Sequence, residues 1–304
     1  MTRGLKGAVE YAAAYVLLKC FGSMPRNVAY AAAEIVASTG FHLARRQRRA
    51  GLQNLRMAMP QLTDAERIRI LRGSFRNLGR LLVEFSHFPQ LNKTNISSYV
   101  VYDGFENYSE SVRRGKGVIF LTAHFGAWEL SSFSHSIYGH PMKFVVRETD
   151  NPRVERLISR YRGLGGNSPI RRKNASRELL KALHNNETVG ILVDQNTTRD
   201  EGAFVDFFGI PAATTTSVAR LALRTGAAVI PGLLIWDERT GTHRLRFDPP
   251  LDLIDTGDRT RDIIENTQMF NCVLESYVRK YPDQWLWIHR RWKTRPEGAP
   301  SLYG

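Results

Sequence analysis

Apolar and polar positions change their spacing near residue 95, and the change divides the chain into two regions. In the first region the apolar residues recur with a helical period. The opening stretch "MTRGLKGAVEYAAAYVLLKCFG" has an apolar core of eight residues, Tyr11 to Leu18, flanked by Glu10 and Lys19. A membrane-spanning helix needs about 20 predominantly apolar residues. No Ala-x-Ala-type cleavage site follows directly, which argues against a signal peptide. Two readings remain open: a helix lying in a bilayer interface with Arg3, Lys6 and Lys19 toward the headgroups, or a plain core helix. Pro25 predicts the start of a second helix, "RNVAYAAAEIVASTGFHLA", whose Glu34 again opposes a simple span. The stretch "RRQRRAGLQNLRMAMP" then threads five arginines with Leu52, Leu55 and Met57 and stops at Pro60. Thr63 and Glu66 form a capping-box signature that opens a long helix. Its apolar stripe, Ile68, Leu71, Phe75, Leu78, Leu82 and Phe85, is expected to face a core.

From about Tyr99 short apolar runs alternate with helical patterns. Strands are predicted at "GVIFLT", "KFVV", "SPIRR", "TVGILV", "AAVIPGLLI" and "HRLRF". Between and after them, helices are predicted at Trp128 to Ile137, "VERLISRYR", "ASRELLKALHN", "TSVARLALRTG" and roughly Arg261 to Lys280. This alternation predicts an α/β fold, a mixed and mostly parallel sheet flanked by helices. The expected organisation is an N-terminal helical membrane-association region, 1–95, and an α/β core, 96–304.

A chain of 304 residues, 42% of them hydrophobic, can bury a substantial core. Lys and Arg number 43 against 29 Asp and Glu, a formal charge of +14. Three anionic partners suit such a surface: nucleic acid, phosphorylated lipid headgroups or an acidic protein. No RNA- or DNA-binding module signature accompanies the charge. Cys20 and Cys272 have no ligand or disulfide spacing and are expected to be buried or inert thiols.

The candidate chemistry sits in "LTAHFGAWEL". In open α/β sheets functional groups gather at the carboxyl ends of strands, and His124 falls just past "GVIFLT". Five residues along one continuous helix would turn His124 and Glu129 about 140° apart. The pair therefore requires His124 to precede the helix, with the chain folding back through "FGA". Glu129 is then expected to accept from one imidazole nitrogen and fix the tautomer, leaving the other to act as a general base on a hydroxyl. Asp194, closing "TVGILV", can orient a base, accept from an arginine or cap a turn. Arg162 in "ISRYRGLGG" can hold a phosphate or an oxyanion, or face its own helix dipole. A Gly-x-Ser-x-Gly elbow and a His-Glu-x-x-His helix are both missing, so a serine hydrolase and a zincin are unsupported.

"TAHFGAWEL" resembles the His-x-x-x-x-Asp/Glu motif of glycerolipid acyltransferases, in the Glu form of the bacterial late acyltransferases of lipid A biosynthesis. Four further stretches carry that resemblance: "VVRETDNP" (145–152), "VDQN" (193–196), "DFFGIPAATTTSVARLALRTGAAVIP" (206–231) and "QWLWIHRRWKTRPEG" (284–298). It implies transfer of a fatty acyl group from acyl carrier protein to a hydroxyl of a membrane glycolipid at the cytoplasmic face of the cell inner membrane. For lipid A enzymes, that hydroxyl is the 3-hydroxyl of an acyl chain already present. No cofactor or metal is implied. By the same resemblance His124 matches the base, Glu129 its partner, Arg162 a required arginine and Asp194 the aspartate after the next strand. Arg147 and Asn151 lie in a recognisable block and are substrate-binding candidates. Arg171, Arg172 and Lys173, with Arg290, Arg291, Lys293 and Arg295 around Trp292, are candidate contacts to the acidic carrier, the phosphorylated acceptor or the anionic membrane. Alternative readings are an acyltransferase for another polar lipid, such as a mannosylated phosphoinositide or an aminolipid, and a non-catalytic basic membrane adaptor.

Overall fold

The structure, a computed structural model, describes residues 3–171 and 175–303. Four helices come first: α1 (Arg3–Ser23), α2 (Arg26–Leu43), α3 (Arg45–Ala58) and α4 (Asp64–His87). The capping box at α4 is formed, with Thr63 Oγ1 accepting from the Glu66 amide at 3.3 Å and Glu66 Oε2 from the Thr63 amide at 2.8 Å. The buried face of α4 differs from the expected apolar stripe. Leu71, Phe75 and Phe85 are buried, but Ile68 is 36% exposed and Leu78 and Leu82 are half-buried. Ser74, Asn77, Arg80, Glu84 and His87 point inward instead. They do so because α4 is bonded to backbone and side chains on several sides, and buried polar groups persist where each finds a partner.

The α/β part follows in the order β1 (Val100–Asp103), α5 (Phe105–Arg113), β2 (Val118–Thr122), α6 (Trp128–Ile137), β3 (Met142–Val146), α7 (Pro152–Gly163) and β4 (Ser168–Arg171). Then come α8 (Ala175–His184), β5 (Thr188–Leu192), β6 (Gly202–Phe207), β7 (Ile210–Thr215), α9 (Ser217–Thr225), β8 (Ala228–Asp237), β9 (Thr242–Phe247) and α10 (Arg259–Lys280). Seven strands make one sheet in the order β1-β9-β8-β2-β5-β3-β4. All its pairs are parallel except β8 with β9, so the expected mixed, mostly parallel sheet is present. Strands β6 and β7 form a separate antiparallel hairpin. Its two-residue turn, Phe208-Gly209, has φ values of 56° and 70°, the left-handed backbone that tight hairpins require.

Successive side chains of a strand point to opposite faces, and β2 serves two cores in this way. Ile119 and Leu121 join Val218, Phe270 and Trp285 on one face, while Val118 and Phe120 join Leu130, Phe133 and Phe247 on the other. The N-terminal helices share both clusters, Phe41 and Leu55 entering the first, Leu18 and Phe85 the second. Among the described residues no helix is long and apolar enough to cross a membrane. Large apolar side chains nevertheless face outward on α1 (Leu5, Val9, Val16, Leu17) and α2 (Val28, Ile35, Val36). Cys20 and Cys272 are free and exposed, so of the two alternatives expected for them, buried or inert, the first does not hold.

A buried polar knot fixes α2 and α4 to the sheet. Glu84, fully buried, accepts from Arg26 Nη2 at 2.6 Å, from His243 Nε2 at 2.8 Å and from the Tyr30 hydroxyl. Burial alone would raise its carboxyl, but the donors His243, Arg26 and Tyr30 hold it down at about 2. Its stabilising contribution is therefore complete above about pH 4.5 and is lost as pH falls toward 2. Glu84→Ala leaves Arg26 and His243 facing a void, and stripping one partner from a buried charge cluster costs about 3–5 kcal/mol. Urea unfolding should show that loss as a lower midpoint, and an unchanged midpoint would refute the role given to the knot.

Candidate active site

Strands β2 and β5 are parallel neighbours with Thr122 opposite Leu192. Two residues beyond each lie His124 and Asp194, so the register brings them together at the carboxyl edge of the sheet. His124 Nδ1 meets Asp194 Oδ1 at 2.9 Å, and the His124 amide donates to Asp194 Oδ2 at 3.0 Å. Trp285 Nε1 supplies a third donor, also to Oδ2, at 2.9 Å. Burial alone would raise the Asp194 carboxyl, but His124 beside it and these hydrogen bonds hold it below the usual carboxylate range. An ionised Asp194 requires the proton on Nδ1, which leaves the Nε2 lone pair outward.

The carboxylate that orients His124 is thus Asp194, and the expected His124–Glu129 hydrogen bond is not formed. After His124 the chain turns through Gly126, whose φ is 56° and where a Cβ would lie 1.8 Å from the Leu234 carbonyl oxygen. Only glycine fits there. Helix α6 then starts at Trp128, and Glu129 in its first turn faces α7 rather than the imidazole. Arg162, in the last turn of α7, binds both Glu129 oxygens, Nε to Oε2 at 2.9 Å and Nη2 to Oε1 at 2.5 Å. A guanidinium fork matched to a carboxylate leaves neither oxygen for the ring. Burial opposes the Arg162 charge, but Glu129 and, less, Glu155 together raise its pKa above the ordinary value.

A cavity of about 290 Å³ opens at this edge. His124, Trp128, Glu129, Arg147 and Arg162 line it, and Arg147 is exposed. Its buried lining combines Phe120, Phe144, Leu245 and Phe247, beside Gly190 and Gly232, with the imidazole of His135, which is 1% exposed and whose Nε2 has no hydrogen-bond partner among the described residues. The cavity therefore brings the charged groups of Glu129, Arg147 and Arg162 and a largely aromatic and aliphatic lining into one space. Arg147 has no ion-pair partner among the described residues.

Other expected contacts fall elsewhere. Asn151 caps α7, its Oδ1 accepting from the Arg153 amide at 3.0 Å, while Nδ2 donates to Gly7 O and Glu10 Oε2, both at 2.9 Å. Its side chain ties α7 to α1 and does not line the cavity. Arg171 is exposed and paired with Glu148 at 2.9 Å. Arg172 and Lys173 lie outside the described residues. Of the four basic candidates in the C-terminal stretch, Lys293 is exposed, while Arg295 is half-buried and Arg290 is half-buried over the Tyr303 ring. Arg291 and Trp292 are completely buried, which corrects the expectation that both face a partner.

The C-terminal residues instead clamp the segment after β5. Arg291 donates to the Gln195 carbonyl at 3.3 Å, to the Ala213 carbonyl at 2.7 Å and to Thr214 Oγ1 at 2.5 Å. Burial pulls its pKa down to about 10, which still leaves it charged at neutral pH. The Asn196 amide donates to His289 Nε2 at 3.0 Å, and burial lowers His289 to about 4, keeping that nitrogen an acceptor. Asn196 Oδ1 accepts from the Thr294 amide at 2.8 Å. Residue-type reasoning missed Gln195, Trp285 and His289. They stood inside the quoted blocks "VDQN" and "QWLWIHRRW", whose pairing in space was the undetected signal.

An imidazole held by a buried carboxylate at the mouth of a cavity is an arrangement compatible with an acyl-transfer enzyme, and the chain's relatives are of that class. The profile of bacterial lipid A biosynthesis acyltransferases matches residues 5–294, and the chain belongs to that family. It is 28% identical over 252 residues to the lipid A biosynthesis palmitoleoyltransferase of Escherichia coli K12, covering 83% of this chain and 80% of that protein. The lauroyltransferase of the same organism is 28% identical over 257 residues, again 83% and 80% of the two chains. A lipid A biosynthesis acyltransferase of Haemophilus influenzae is 28% identical over 267 residues, 86% of this chain and 83% of its own.

Trp285→Phe keeps an aromatic ring in place but removes the N–H that reaches Asp194 together with part of a fully buried ring system, so a packing loss adds to that of the bond. Loss of a hydrogen bond to a buried charged group should lower unfolding stability by about 1.5–3 kcal/mol. Calorimetry on the purified variant measures this, and a loss within error of zero would show that the indole does not hold the carboxylate.

Proposed function

We propose that this protein transfers a fatty acyl group from acyl carrier protein to a hydroxyl of a lipid A precursor, with His124 as general base oriented by Asp194. The observation that carries the reading is the Asp194-bound imidazole lining a cavity whose buried side chains are mostly aromatic or aliphatic. Names of the relatives supply the lipid A context, and the net charge of +14 suits both an acidic carrier and a phosphorylated acceptor.

The acyl chain lies along Phe120, Phe144, Leu245 and Phe247, and the thioester carbonyl sits between His124 and Arg162. His124 Nε2 takes the proton of the acceptor hydroxyl while its oxygen bonds to the carbonyl carbon. The resulting tetrahedral oxyanion is stabilised by donors at the mouth, Arg162 among them, and collapse expels the carrier thiolate. That thiolate takes the proton from the imidazolium, which Asp194 has stabilised meanwhile. Glu129 serves the reaction through Arg162, holding the guanidinium at the cavity.

His124→Ala should fold normally and lose about 10²- to 10⁴-fold in carrier-thiol release, the usual worth of a general base. Asp194→Asn, which presents the wrong partner to Nδ1, should lose up to about 10⁴-fold. Substantial turnover in His124→Ala would end this assignment, and an absence of acceptor-dependent thiol release in the wild type would leave a non-catalytic lipid-binding role.

Membrane docking is proposed for α1 and α2. Leu5, Val9 and Val16 project within about 40° of one another around α1, all exposed, as an interfacial helix presents its apolar side to lipid. The double variant Val9→Asp with Val16→Asp should sediment poorly with vesicles containing phosphatidylglycerol yet retain thiol release in detergent. Undiminished vesicle binding would exclude this face as the contact.

A further inference from the structure

The nitrogen that the reaction needs free is already occupied. Gln195 Nε2 lies 3.1 Å from His124 Nε2. Because Nδ1 keeps its proton and donates a hydrogen bond to Asp194, Nε2 can take part only as an acceptor, and the amide of Gln195 is the donor. We propose that Gln195 is a positioning residue that caps the lone pair of His124 until an acceptor hydroxyl displaces it, and so restrains hydrolysis of the bound thioester. The inference rests on the reading of His124 as general base.

Gln195 is held from behind. Its carbonyl accepts from the fully buried Arg291 and the next amide donates to His289. The backbone is thereby fixed, and the cap opens by rotation of a half-buried side chain alone. Water competes with the acceptor for the same carbonyl carbon. If water replaces the cap, its proton passes to Nε2, its oxygen bonds to the carbonyl carbon and the C–S bond breaks. The thiolate then leaves with the proton from the imidazolium, giving a free fatty acid and carrier thiol. Water and the acceptor hydroxyl must both displace the same N–H···N bond. The acceptor does so with binding energy gathered along the rest of its lipid, and water brings none. The cap therefore raises the barrier to hydrolysis more than the barrier to transfer.

The test uses the full chain in detergent with acyl carrier protein thioester, and thiol release is followed with and without the lipid acceptor. Gln195→Met keeps the side-chain volume and deletes the donor. Its ratio of acceptor-free to acceptor-dependent release should rise about 3- to 10-fold, the worth of one neutral hydrogen bond. Gln195→Glu supplies a second, independent readout, because a carboxylate beside Nε2 favours the imidazolium and should move the alkaline-going limb of the pH–rate profile upward. An unchanged ratio in Gln195→Met, or a Gln195→Glu profile superimposable on the wild type, overturns the cap alone. A wild type that transfers nothing overturns the underlying reading together with it.

Discussion

The carboxylate of Asp194 is the constraint on which the site depends. It is almost wholly buried, and it persists as an anion because three N–H groups converge on it from His124 and Trp285. Those donors come from the end of β2 and from a segment about 90 residues further along than Asp194 itself. Burying an unpaired carboxylate would be costly, so strand register, imidazole tautomer and C-terminal path are selected together. The outward lone pair of His124 follows from this same set of bonds.

Ionic and hydrogen-bonded contacts also divide the work at the cavity. One carboxylate, Asp194, addresses the imidazole; the other, Glu129, addresses the guanidinium of Arg162. The division keeps each acid matched to one cation-forming group. Helix α4 gives this arrangement a rigid backing. Its Ser74 donates to the Trp285 carbonyl at 2.7 Å, and its Asn77 to the carbonyls of Gly126 and Gln284 at 3.0 and 3.2 Å. The polar face that replaced the expected apolar stripe thus supports both the turn after His124 and the segment carrying Trp285.

Much of this was legible in the sequence. The alternation after Tyr99 gave the sheet and its helices because buried parallel strands read as continuous apolar runs, and strand-end placement singled out His124 and Asp194. What the sequence did not disclose was which of two carboxylates reaches the ring. Spacing along the chain favours the nearer Glu129, whereas strand pairing, which is non-local, brings the distant Asp194 level with His124. The short β1 and the β6–β7 hairpin were missed because their runs carry little period-two contrast. The basic stretch around Arg291 misled for a related reason. Charge usually marks a solvated face, but here the guanidinium satisfies two carbonyls and a hydroxyl in the interior.

The clamp formed by Trp285, His289 and Arg291 has a consequence for biosynthesis. A polypeptide emerging from the ribosome can assemble its early helices and most of its sheet while Asp194 still lacks one of its donors and the loop after β5 is unanchored. Chains fold from the amino terminus as they are made, so the full set of bonds on Asp194 forms only once the segment of Trp285, about 90 residues further along, has been synthesised. A chain still lacking that segment would hold the Asp194 carboxylate one donor short and the imidazole beside it less firmly fixed.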